Sequence, residues 1–365
     1  MNTILYISMI LFSISAAYYQ TKIPKIVAFF VIYFILFILF EYLDLFPGFK
    51  LWKQSEITSN CYDWFEHYLK KDYGLVNKKH VFDLTENLYL NNFDISSEES
   101  LENKYNLIFN ELQLTEGKTL LDCGSGSCAW TTYCKNRGVN VTGLTLSKEQ
   151  QSVCTKKGIP VYVQDYRILD TKFINKFDAV SLIGTTEHIT EWCGFYTTEN
   201  QSYKDYKNLF NVIKQYLKPN GKIFLSQIVR QKSSKEYTMY DYVQAYVMLR
   251  HYGGYYSYTN IISDAITYNG LTIESINDYT QDYHWISVAE TDHFGHWWVK
   301  WDEEPLDKIL YFFRGLVTDP FLVHHWLYYG MDTWMWQFSG YQKTPLTNEQ
   351  IKTSIGNLKY FVISK

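Results

Sequence analysis

The chain has 365 residues, enough for one large domain with an appendage and a sizeable buried core. Its formal net charge is -4 and no basic stripe runs along it, which excludes an electrostatic binder of nucleic acid. The six cysteines (Cys61, Cys123, Cys128, Cys134, Cys154, Cys193) show no spacing suited to a metal site or a disulfide framework, so no metal is expected and they read as reduced, buried hydrophobes in a domain that faces the cytosol.

Two apolar runs open the chain, roughly Ile4 to Tyr19 and Ile26 to Phe40. A bilayer core takes ~20 helical residues, so both are short, but interfacial aromatic flanks make them workable spans. The polar turn Gln20 to Lys25 between them suggests a helical hairpin, and residues 1–46 are read as a membrane anchor. A signal peptide followed by one span, or a soluble apolar arm, is the alternative. Lys22 and Lys25 balance Lys50 and Lys53, so charge leaves the topology open.

Residues 47–117 read as a linker and an amphipathic helical cap. From Thr119 strands and helices alternate, which predicts a parallel sheet with helices on both faces. The strands are expected at Thr119–Asp122, Val139–Leu144, Val161–Gln164, Phe177–Leu182, Gly221–Ile228, Leu271–Asp278 and, as a late return strand, Lys359–Ile363. Helices are expected at Tyr203–Leu217, stopped by Lys218-Pro219-Asn220-Gly221, and at Asn260–Tyr268, stopped by Asn269-Gly270. Two aromatic-rich stretches, about 230–258 and 280–350, do not fit the sheet and read as lid insertions in a domain spanning 118–365.

The sharpest local signal is the run from Leu120 to Ala129. A buried strand ends in Asp122, and Gly124-Ser125-Gly126 then turns into a helix. Glycine lets a backbone approach a ligand closely and take positive φ without a steric cost. Alone this is a tight strand–helix turn; its sequel adds meaning. The second strand ends in Thr145-Leu146-Ser147 with Gln150 after it, the third in Gln164-Asp165-Tyr166-Arg167, and the fourth in Thr185-Thr186-Glu187-His188. Ligands of open α/β sheets bind at the carboxyl ends of the strands, where all four polar clusters fall. Ser147 and Gln150 also match a helix capping box, and both roles can coexist.

These residues resemble the cyclopropane-fatty-acyl-phospholipid synthases, which include the mycolic-acid cyclopropane synthases and the fungal sphingolipid methyltransferases. The likeness runs from about Tyr62 to the C-terminus and is strongest at Val141–Gln150, Gln164–Arg167, Glu187-His188, Leu217–Gly221 and Asp292 to Trp301. The resemblance implies a class I methyltransferase fold (Rossmann-like, seven strands), S-adenosylmethionine as cofactor and a membrane lipid as substrate. It places Asp122, Gly124 and Gly126 around the methionine part of the cofactor. Thr145, Leu146 and Gln150 meet the ribose and amino-acid portions, and Asp165 and Tyr166 meet the adenine. Glu187, assisted by His188 or His293, is the candidate base or cation stabiliser. The fungal relatives also carry two N-terminal membrane segments.

Departures from the pattern matter as well. The family's third glycine is Cys128 here, a change expected to narrow the pocket. Ring-forming members hold a bicarbonate ion with a Cys, the Glu, a His and a Tyr; here the His position reads Ser226 and the Tyr position Phe294. Methyl transfer to an unsaturated carbon of an acyl or sphingoid chain is therefore the leading expectation, with a branched product favoured over a ring. N-methylation of a lipid head group or small amine, and a non-catalytic cofactor-binding membrane protein, are the alternatives.

Overall fold

The computed structural model describes residues 54–56, 58–59, 61–63, 87–92, 94–190, 198–231, 236, 253–283, 345–353 and 356–365. The expected hairpin of residues 1–46, most of both lid insertions, His293 and Phe294 lie outside them. Among the described residues no helix is long and apolar enough to cross a membrane.

Seven strands form one sheet: β1 (Thr119–Cys123), β2 (Asn140–Thr145), β3 (Val161–Val163), β4 (Phe177–Ile183), β5 (Leu217–Arg230), β6 (Thr272–Asp278) and β7 (Gly356–Ser364). Their order is β3-β2-β1-β4-β5-β7-β6. β1 pairs in parallel with β2 and β4, β2 with β3, and β4 with β5. β7 slots between β5 and β6 and runs antiparallel to both. The sheet is therefore mixed, where strand–helix alternation alone had suggested a parallel one. The C-terminal strand runs antiparallel to both of its neighbours, a pairing that requires no crossover connection.

Side-chain alternation explains the two cores. Leu120 faces one side of the sheet, together with Tyr105 and Ile108 of α1 (Ser97–Glu111) and Trp130 and Cys134 of α2 (Ala129–Lys135). Cys154 of α3 (Lys148–Lys156) joins the same core. Leu121 and Cys123 face the other side, where α4 (Thr198–Tyr216) presents Tyr206, Leu209, Phe210 and Ile213 at helical spacing. Ile262 and Ile266 of α5 (Thr259–Tyr268) complete that layer, and a short α6 (Asn348–Thr353) precedes β7.

The expected helix stop at 218–221 lies inside β5. Phe177 pairs with Leu217 and Ala179 with Lys222, so these four residues bulge out between two pairings, with Asn220 at φ 61°. Residues 253–257, assigned from sequence to a lid, are largely buried beside the end of β4: the Tyr255 N–H donates to the Glu187 carbonyl at 2.6 Å.

Candidate functional site

A cavity opens where β1, β2 and β4 end, at the edge from which a ligand meets a doubly wound sheet. The glycine turn forms its floor. The N–H groups of Gly124 and Ser125 both donate to the Leu144 carbonyl at 2.9 Å, which ties the turn to β2. Gly143 makes the close approach possible: a Cβ there would stand 2.3 Å from Ser125 Oγ. Gly124 (φ +88°) faces inward, because a Cβ on it would strike Thr185 Oγ1 at 2.4 Å. Gly126 (φ +51°) differs. An added Cβ would meet nothing within 4 Å, and the residue lines the cavity, leaving space that a ligand can fill.

Asp122 at the end of β1 is 3% exposed and accepts from Ser181 Oγ at 2.6 Å; Ser181 in turn accepts from Trp130 Nε1 at 3.1 Å. This relay fixes the carboxylate at the cavity wall. On the β2 side, Ser147 caps α3 by accepting from Gln150 N–H at 3.0 Å. The Gln150 side chain accepts from Thr145 Oγ1 at 2.7 Å rather than reaching back to the cap. The sequence thus makes half a capping box, and the other half turns toward the cavity, which Thr145, Leu146 and Gln150 all line.

Asp165 is held by Arg167 through its N–H and guanidinium, with Nη2 at 2.7 Å, and Arg167 Nη1 also donates to the Ile189 carbonyl. Burial pushes the Tyr166 hydroxyl well above the usual phenol range, so it stays a donor, to the Thr185 carbonyl at 2.8 Å. Its polar end is used within the protein, which leaves the ring as the part that can meet a ligand. All eight residues expected at the cofactor line this one cavity: Asp122, Gly124, Gly126, Thr145, Leu146, Gln150, Asp165 and Tyr166.

Of the three candidate catalytic residues, His188 lines the cavity. His293 lies outside the described residues. Glu187 is 5% exposed on the turn Thr186–His188 and is not among the described lining residues; its Oε1 accepts from the Ile228 N–H at 2.9 Å. Ser226, the position at which the resemblance leads one to expect a His, is fully buried in β5.

Sequence reasoning missed the N-terminal segment that closes this cavity. Helical residues 54–56, 58–59 and 61–63 lie along its rim. Gln54 Nε2 donates to the carbonyls of His188 and Gly253, Ser59 Oγ to the Leu146 carbonyl, and Asp63 accepts from Ser147 Oγ and Glu149 N–H. Tyr62 lines the cavity with its hydroxyl 2.9 Å from His188 Nε2 and the two rings edge to face. Burial, then Cys61 and Glu187 close by, raise the Tyr62 pKa, so it remains a phenol. No local motif marks Tyr62; only its amphipathic surroundings were visible.

The cysteine reading needs correction. Cys128 and Cys154 form a disulfide, with Cα atoms 5.6 Å apart. Their separation of 26 residues matches no sequence framework; the fold brings α3 against the turn before α2. The expected narrowing of the pocket by Cys128 is absent too. Cys128 adopts the left-handed conformation (φ 63°) that a glycine would take, and its side chain turns to Cys154 instead of lining the cavity.

Residues 86–310 match the family described as mycolic acid cyclopropane synthetase. A probable fatty acid methyltransferase of Mycobacterium tuberculosis is 37% identical over 148 residues, covering 38% of this chain and 31% of that protein. The cyclopropane-fatty-acyl-phospholipid synthase of Escherichia coli K12 is 31% identical over 142 residues, 38% and 33% of the two chains. The sphingolipid C9-methyltransferase of Candida albicans is 32% identical over 112 residues, 26% and 22%. The matched stretch thus spans about a third or less of these relatives. In fold, a cyclopropane synthase of M. tuberculosis superposes with a TM-score of 0.62 at 17% identity, over 87% of this chain and all of that one. A mycolic acid cyclopropane synthase solved with S-adenosylhomocysteine gives 0.59 at 17% identity, covering 85% and 98%.

Proposed function

Because this chain belongs to the mycolic acid cyclopropane synthetase family, we propose that it is an S-adenosylmethionine-dependent methyltransferase acting on an unsaturated carbon of a lipid acyl or sphingoid chain. One observation carries the reading: the eight residues chosen for the cofactor line a single cavity at the strand ends. The open space at Gly126 fits the group, since a cradle there would be filled by any side chain. The relatives described as fatty acid and sphingolipid methyltransferases and as a cyclopropane-fatty-acyl-phospholipid synthase support a lipid substrate.

The bound cofactor supplies an already activated methyl group. The protein's task is alignment, since holding reactants in line accounts for much of the rate. Asp122 is fixed through Ser181 to hold a cationic amine, and Gln150 with Thr145 offers hydrogen bonds to hydroxyls. Positive charge develops on the lipid chain after transfer, and aromatic faces such as Tyr62 can stabilise it by roughly 0.5–2 kcal/mol each. Glu187, oriented by the Ile228 N–H, is the proposed base or cation stabiliser, with His188 beside it held by Tyr62. A carboxylate without the His of the bicarbonate set (Ser226 here) favours removal of a chain hydrogen and a methyl-branched alkene.

Attachment to the lipid's membrane through residues 1–46 belongs to the same reading, supported by their two apolar runs. Cells expressing the protein and fed methyl-deuterated methionine provide the test. The expected lipid carries a methyl branch with all three deuteriums; a ring methylene would lose one. Label confined to a head-group nitrogen, or absent from lipid, would overturn the proposal.

A further inference from the structure

We propose that the Cys128–Cys154 disulfide is a thiol–disulfide exchange site that sets the affinity of the cofactor cavity. The inference rests on the cofactor reading above and adds a covalent modification to it. Cys128 follows cavity-lining Gly126 by two residues and caps α2; Cys154 sits four residues after cavity-lining Gln150 on α3. Residues four apart share a helix face, so the bond ties the glycine turn to the helix that supplies Gln150. Ties of another kind across this gap include Lys157 Nζ to the Ser127 carbonyl at 2.7 Å and Lys135 Nζ to the Gly158 carbonyl at 2.8 Å, both exposed to competing water.

Backbone conformation links the bond to the cavity. Cys128 is not glycine, yet it holds φ 63°, a conformation disfavoured for a residue with a Cβ. The cross-link anchors its side chain there. Once reduced, Cys128 is free to relax toward right-handed φ, and Gly126 and Ser127 at the cavity move with it. A dithiol would perform the step: one thiolate attacks a sulfur, forming a mixed disulfide and releasing the other cysteine, which takes a proton. The reductant's second thiol then displaces the remaining cysteine, so two electrons pass to the pair and the reductant ends as a disulfide. Both sulfurs are buried, so attack requires the turn and α3 to part. Cys123 and Cys134 do not substitute for the reductant, because burial pushes their thiols up and keeps them protonated.

Coupling is reciprocal: a ligand that prefers the cross-linked form must shift the pair toward the disulfide by the same factor. The full chain, purified without reductant, is titrated calorimetrically with S-adenosylhomocysteine before and after dithiothreitol, and its cysteine pairing is mapped by peptide mass spectrometry. Reduction is expected to weaken binding about tenfold or more, and saturating ligand is expected to protect the bond from dithiothreitol. Cys154→Ala should bind like the reduced protein with or without dithiothreitol. The double variant Cys128→Gly, Cys154→Ala should regain tight binding, because glycine takes positive φ without a cross-link. Equal affinity of the oxidised and reduced chain would overturn the exchange site while leaving the cofactor reading intact. Free thiols at both positions in the untreated protein would overturn it too. No binding by either form would overturn both.

Discussion

Gly124 and Gly126 stand two residues apart and should fail in different ways when substituted. Gly124→Ala puts a methyl group 2.4 Å from Thr185 Oγ1, so the turn itself must shift and the loss is expected in melting temperature. At Gly126 an added Cβ meets nothing of the protein, so Gly126→Val is expected to take up cavity space. It should abolish measurable S-adenosylhomocysteine binding by calorimetry, with only the modest stability cost of a strained φ. Unchanged titrations for Gly126→Val would remove the glycine turn from the cofactor site. Glu187 permits an equally clean substitution. Gln keeps an oxygen for the Ile228 N–H while losing the charge, so Glu187→Gln should fold normally and lose about 10²–10⁴-fold in methyl transfer if the carboxylate is the base. A fully active variant would assign the proton to another group.

At the scale of elements, the sheet is pinned at the amino ends of β1 and β4 by Asp178. Its carboxylate accepts from Thr119 N–H at 2.8 Å, from Thr119 Oγ1 at 2.7 Å and from Lys218 Nζ at 2.8 Å. Burial alone would raise its pKa, but the hydrogen bonds from Lys218 and Thr119 outweigh it and hold the group at about 2. A folded pKa below the unfolded one stabilises the protein above the unfolded value of about 3.8, and the contribution fades as pH falls toward 2. The melting-temperature gap between wild type and Asp178→Asn should therefore be widest above pH 4 and close near pH 2. A gap that stays constant over this range would show that Asp178 acts without its charge. Elements were the most legible part of the sequence. α5 and β1–β4 lie within a residue or two of their expected bounds, because buried strands and turn residues are local signals. The bulge in β5 and the place of the returning β7 between β5 and β6 were not legible, since each depends on a partner strand far away in sequence.

For the whole molecule, the cavity's described lining begins at Thr58. Removing residues 1–46 should thus leave S-adenosylhomocysteine binding unchanged and, on the anchoring role proposed for them, free the protein from membranes. Sedimentation of the truncated protein with membranes at high salt would point instead to an apolar surface downstream of residue 46. The sequence by itself determined the strand ends, from which its family resemblance singled out eight residues; they line one cavity because an α/β sheet gathers the carboxyl ends of neighbouring parallel strands on one edge. Only the tertiary structure decided that Tyr62 meets His188 across 126 positions and that Cys128 meets Cys154. Such contacts arise from how a helix packs over the finished sheet, and no residue pattern within either segment encodes its partner.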